Sequence, residues 1–391
     1  MRRLLFKLSL FCPLVVAMVW VNWTVDPARL FVPRTSVLSA GYEGAIVEDL
    51  FAGRPHEVSG EYDQRVVFEE VLRNQQRLDV LLLGSSVAKP FHSGLFPDGS
   101  FLNGANHGGE LEEAVCAYEL AWERGFRPKR VVIQFQGWGR MLGVRTNAVD
   151  PNSEAVLGRA LRRLGIPLQS DPDDPLGNHF WPIEQAAEFK LEQDWRWLHP
   201  YDKLISPRYF QMSIGVLMRT EWPAIQSGAR IVPETVPENQ RNVLYPDCSV
   251  QWSQYMRSAT PDSIRHFHAA IFPGVAKLEQ TRPAESRCRL FETFVLEMLN
   301  SGTQVDLVLS PPISWLAQQV DSQYAGTSKL SPAAETERYL RTFTKSHQLK
   351  VFGSFEPGNT DLTDSDFVDI LHIRRESIGR LLQPSRERVA R

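Results

Sequence analysis

Three short segments carry residue types at spacings suited to nucleophilic acyl chemistry. Gly84-Ser85-Ser86 closes a continuous apolar run; a serine at the start of a helix has its hydroxyl beside unpaired backbone N–H groups that can hold an oxyanion. The loop Asn103-Gly104-Ala105-Asn106-His107-Gly108-Gly109 offers glycine backbone able to turn a second N–H toward the same point. Near the C-terminus Asp369 stands three residues before His372. On one helical turn that spacing lets the carboxylate reach imidazole Nδ1, which fixes the tautomer and leaves Nε2 as a base. Of the paired serines, Ser85 continues the exit of the strand and Ser86 opens the helix, so Ser86 has the better-placed hydroxyl and N–H. Each residue also has an ordinary use: Ser85 and Ser86 as helix caps, Asp369 as a cap, and His372 on a helix surface. The same holds for His107, since a lone loop histidine is usually structural. His266-Phe267-His268 would put two rings on one side of a strand as metal ligands, but the pair alone is a weak signal, and no metal site is expected.

These residues need a frame that gathers strand ends. Residues 78–83 (LDVLLL) and 129–135 (KRVVIQF) read as strands buried on both faces, with a short strand at 100–103 and a helix over 109–124 between them. Residues 61–76 form an amphipathic lead-in helix. After a gap the rhythm resumes: a helix over 287–299, a strand at 304–309, a helix over 333–346, a strand at 349–355 and a terminal helix after His372. About five strands alternating with helices predict a three-layer α/β/α sandwich on a mostly parallel, doubly wound sheet, whose ligands gather at the carboxyl ends of the strands. Residues 140–270 show neither period and are rich in Pro, Asp and Trp, so they read as an insertion or cap. Trp181, Trp195, Trp197, Trp222 and Trp252 lie there, suited either to core packing or to stacking on sugar rings. The expected divisions are 1–25, 26–76, 77–139, 140–270, 271–384 and a charged tail at 385–391.

At 391 residues, with 43 Lys and Arg against 46 Asp and Glu, the chain carries a formal charge of -3, which argues against a nucleic-acid partner. A mean hydropathy of -0.26 excludes a multi-span membrane protein. Arg2, Arg3 and Lys7 precede an uncharged run over 8–25, with Trp20 and Trp23 near its outer end. That pattern predicts a single transmembrane anchor with the body outside the cytoplasm, a cleaved signal peptide being the alternative. The four cysteines show no metal spacing, and Cys248 and Cys288 are candidates to pair in an oxidising space.

Gly84-Ser85-Ser86 behind a buried strand, Asn103 with Gly108 five residues on, and Asp369-x-x-His372 near the C-terminus together resemble the SGNH (GDSL-like) hydrolase superfamily. Within it the closest look-alike is the membrane-anchored Gly-Ser-Ser branch related to D-alanyl-lipoteichoic-acid transfer and alginate O-acetylation proteins. The resemblance covers 78–138 and 303–382. It implies a triad of Ser86, His372 and Asp369, with oxyanion donors at the backbones of Ser86 and Gly108, and Asn103, His107 and Trp138 around the substrate. The superfamily's third block supplies an Asn to the oxyanion, whereas this chain has Gln134-Phe135-Gln136-Gly137-Trp138, so Gln136 would take that place or the hole is smaller. The implied activity is an O-acyltransferase or esterase, acting without cofactor on acetyl groups of an envelope or secreted polysaccharide. Its expected place is the bacterial inner membrane with the catalytic body in the periplasm, beside a membrane-bound acyltransferase. A catalytically silent scaffold of a polysaccharide-modification complex is the alternative.

Overall fold

The computed structural model describes residues 13, 15–21, 42–58, 62, 64–97, 99–106, 111–136, 142, 151–166, 238–271, 283–324, 326 and 330–383. The described residues of Asp49–Trp181 and Glu238–Arg391 belong to one compact unit, and this unit holds all that follows. In chain order its strands are β1 (His56–Val58), β2 (Val80–Leu83), β3 (Phe101–Asn103), β4 (Arg130–Gln136), β5 (Asn242–Leu244), β6 (Val250–Gln251), β7 (Gln304–Ser310) and β8 (Lys350–Gly353). The helices are α1 (Tyr42–Phe51), which begins ahead of this unit, α2 (Gln64–Asn74), α3 (Leu111–Glu123), α4 (Pro151–Arg163), α5 (Gln254–Arg257), α6 (Pro261–Ile271), α7 (Glu285–Asn300), α8 (Ser314–Ser322) and α9 (Pro332–His347).

The main sheet is all parallel in the order β3-β2-β4-β7-β8. The chain leaves β2 for one edge, returns to β4 on the other side and continues outward, so the order reverses between β2 and β4. In doubly wound sheets a crevice opens at that point, beyond the carboxyl ends of the strands. Both faces of the central strands are buried, which is why their sequences are continuous apolar runs. On one face Val80, Leu82, Val132 and Val308 pack in a cluster with Phe91, Trp315, Ile370 and Leu381. On the other, Phe135 meets Phe291 of α7 edge-on at 5.5 Å, and Tyr118 of α3 meets Phe294 at 5.4 Å. The first layer is therefore α8 with short 3₁₀ turns and the C-terminal segment, and the second is built from α3, α7 and α9, with Phe343 of α9 at 5.1 Å from Phe291.

The insertion read over 140–270 does not hold as one block. Residues 151–166 and 238–271 belong to the same compact unit as the sheet. There β1, β5 and β6 make a second, antiparallel sheet, with β5 central. Among the described residues no regular helix follows His372; the chain there makes a 3₁₀ segment, Ile378–Leu382. Among the described residues no helix is long and apolar enough to cross a membrane. Of the uncharged run over 8–25 only residues 13 and 15–21 are described, as helix, so the expected anchor lies largely outside them. Cys248 and Cys288 form no disulfide, so that pairing is not made.

Candidate active site

β2 ends at Leu83, and the chain turns through Gly84 into a single 3₁₀ turn, Ser86–Ala88. Gly84 is required by close approach: a Cβ there would stand 2.9 Å from Ala88 Cβ and 3.0 Å from Gln134 Cβ. Gly84→Ala is expected to cost about 1–3 kcal/mol, as for overpacked positions, read as a lower denaturant midpoint. Ser85 is buried and caps the turn, its Oγ accepting from Val87 N–H at 3.4 Å and lying 3.5 Å from Gln134 Oε1 and Gln136 Oε1. Ser86, half-buried, points elsewhere. Its N–H heads the turn and has no acceptor among the described residues, as expected for a first helical residue. The turn is too short for a helix dipole to contribute, so the stabilisation expected at Ser86 reduces to that single N–H.

Ser86 Oγ lies 2.9 Å from His372 Nε2, and His372 Nδ1 lies 2.7 Å from Asp369 Oδ2. Asp369 does not sit on a helical turn. Residues 368–372 form a tight loop closed by the Phe367–Ile373 bridge and by Val368 N–H donating to His372 O at 2.9 Å. Asp369 Oδ1 accepts from the N–H groups of Leu371 and His372, both at 2.8 Å. This side-chain turn is a common use of aspartate; here it fixes one carboxylate oxygen and aims the other at the imidazole. Burial pushes the Asp369 carboxyl up, but the facing His372 and the hydrogen bonds from its ring and from both backbone N–H groups outweigh it and hold the group down at about 2. The folded value lies below the ordinary 3.8, so the stability it contributes is present above about pH 4 and is lost as pH falls toward 2. Asp369→Asn should therefore flatten the fall in melting temperature across that window.

Asn103, expected at the substrate, has a different task. It is buried, its Nδ2 lies 3.0, 3.2 and 2.9 Å from the carbonyls of Ala88, Lys89 and Phe91, and its Oδ1 accepts from Ala105 N–H at 2.9 Å. With both ends of the amide occupied it ties the segment after Ser86 to the end of β3. Gln136 is the last residue of β4, half-buried, on the strand beside β2. His107, Gly108 and Trp138 lie outside the described residues, as do Trp181, Trp195, Trp197 and Trp222. His266 and His268 sit on α6, not on a strand. Among the described residues no group of three or more His, Cys, Asp or Glu could hold a metal.

Sequence reasoning missed the buttress behind this relay. The β5–β6 hairpin reaches both of its ends: Asn103 N–H donates to Asp247 O at 2.9 Å and Val250 N–H to Lys89 O at 2.8 Å. On the other side the Arg375 guanidinium lies 4.3 Å over the Tyr245 ring and donates to Ser249 Oγ at 2.8 Å. Lys89, one turn after Ser86, is buried with Nζ donating to Gln64 Oε1, and burial brings its ammonium down to about 7. A lysine following an apolar turn gives no sequence signal for such burial. The chain matches no family model, no curated protein and no solved structure at a significant level.

Proposed function

We propose that this protein is a serine acyl-ester enzyme. The observation that carries the reading is the hydrogen-bond chain from Asp369 through His372 to Ser86, at 2.7 and 2.9 Å, beside the point where the strand order reverses. In this reading Ser86 Oγ attacks the ester carbonyl and passes its proton to His372 Nε2, while Asp369 holds Nδ1–H and faces the imidazolium that forms. The oxyanion is held by the Ser86 N–H, with the Gly108 N–H and Gln136 as the further donors the sequence pattern implies. Collapse breaks the ester C–O bond, and the leaving alcohol takes the proton back from His372. Water or a second hydroxyl then attacks the acyl-Ser86, with His372 again as base, and the serine is restored.

The finer reading rests on the sequence resemblance to the SGNH superfamily. It makes the enzyme an anchored, extracytoplasmic O-acyltransferase or esterase that handles acetyl groups of a cell-envelope or secreted polysaccharide, receiving them from a membrane-bound acyltransferase. The test is release of acetate from an acetylated polysaccharide, or transfer from a small acetyl ester to a glycan hydroxyl, by the full chain. Turnover by the wild type that disappears in Ser86→Ala supports the reading. A folded wild type with no turnover of any acetyl ester at pH 7–8 overturns it in favour of the silent scaffold.

A further inference from the structure

We propose that Trp252 is a positioning residue for His372, an inference that rests on the reading of His372 as the base. The indole is 4% exposed and its ring centroid stands 4.8 Å from that of His372, the planes inclined at 65°. Such an edge-on contact is a preferred arrangement of aromatic rings. The imidazole is thus held on two sides, by Asp369 at Nδ1 and by the indole against the ring. With Nδ1 tethered, the remaining freedom is a swing of the ring about its side-chain torsions, and the indole obstructs it. Nε2 then stays on Ser86 Oγ.

Trp252 is itself fixed by the backbone that fixes the nucleophile. It directly follows β6, whose Val250 N–H donates to Lys89 O at 2.8 Å, and its own carbonyl accepts from Arg257 Nε at 3.0 Å. Arg374, two residues beyond His372, donates to the carbonyls of Arg257 and Ala259, the latter at 2.8 Å. One hairpin and the turn after it therefore set the Ser86 segment, the His372 segment and the ring between them. The indole Nε1 is buried without a hydrogen-bond partner among the described residues. Leaving a buried donor unsatisfied is costly, and simple filling of this space would be met by Phe or Leu without that cost. What Trp adds is a broad rigid ring reaching His372.

The test is the rate of fluorophosphonate labelling of the full chain. Trp252→Leu, at comparable melting temperature, should label roughly 10–100-fold more slowly, the size of effect that small misplacements of a reacting group produce. Trp252→Phe, which keeps an aromatic ring, should recover most of the rate and also serves if the Leu variant folds poorly. The readout that separates positioning from packing is the double variant. In a His372→Ala background, Trp252→Leu should slow the residual labelling no further, because a residue acting through His372 has nothing left to act on. Additive losses would overturn the inference, as would unchanged labelling by both single variants. A wild type that does not label at all overturns the enzyme reading itself, a separate outcome.

Discussion

Ser86→Ala is expected to lower turnover of a small acetyl ester by roughly 10³-fold or more, the loss seen when a nucleophile that works with a base is removed. Ser85→Ala should keep most of the turnover, because its hydroxyl is spent on capping the turn and is buried away from His372. His372→Ala should fall nearly as far as Ser86→Ala. Its Nε2 is the only basic group within hydrogen-bond distance of Ser86 Oγ among the described residues. Asp369→Asn keeps the size of the side chain but offers the imidazole a donor where it now has an acceptor, so it favours the wrong tautomer and should also lose activity by orders of magnitude. Parallel loss in these three variants, with Ser85→Ala spared, is the pattern a relay produces and unconnected structural residues do not.

The largest effect on stability is expected away from the site, at Glu112→Ala. Arg287 of α7 donates to Glu112 Oε2 of α3 at 2.7 Å, and both side chains are only 4% exposed. These helices cover the same face of the sheet, and the pair joins them. Removing one member breaks this buried ion pair, which costs about 3–5 kcal/mol. The double variant Glu112→Leu with Arg287→Met removes both charges and should recover much of that loss. Urea denaturation of the wild type and the two variants measures the difference.

What could be read from the chain followed the strength of local pattern. Residues 78–83, 129–135 and 304–309 announced strands because a strand buried on both faces cannot afford polar residues, and β2, β4 and β7 lie there with ends shifted by a residue or two. Asp369-x-x-His372 was legible as a pair through its spacing, but the helix expected beneath it was wrong: two backbone N–H groups on Asp369 Oδ1 close a loop that reaches the same distance. His266 and His268 have a spacing that would suit a strand, but they lie on α6, since short segments carry either period. The neighbouring sequence carries a helix start, with Pro261 at its first position and Asp262 in its first turn, and the structure adds Ser263 N–H donating to Thr260 Oγ1 at 3.2 Å. The hairpin was illegible because β5 and β6 span three and two residues, too few to show an alternation. Asn103 is noticeable for its type but ties backbone segments rather than facing a ligand, and the buried Trp252 fits the core-packing reading while its contact with His372 is illegible, since what both touch comes from segments distant in sequence.

The account stands or falls on whether Ser86 is an activated nucleophile. The direct measurement is to treat the folded wild type with a fluorophosphonate at pH 7–8 and locate the adduct by peptide mass spectrometry. The account predicts one covalent adduct, on Ser86, formed far more slowly in His372→Ala. An adduct on Ser85 or elsewhere, or a folded protein that takes up no label, would contradict it.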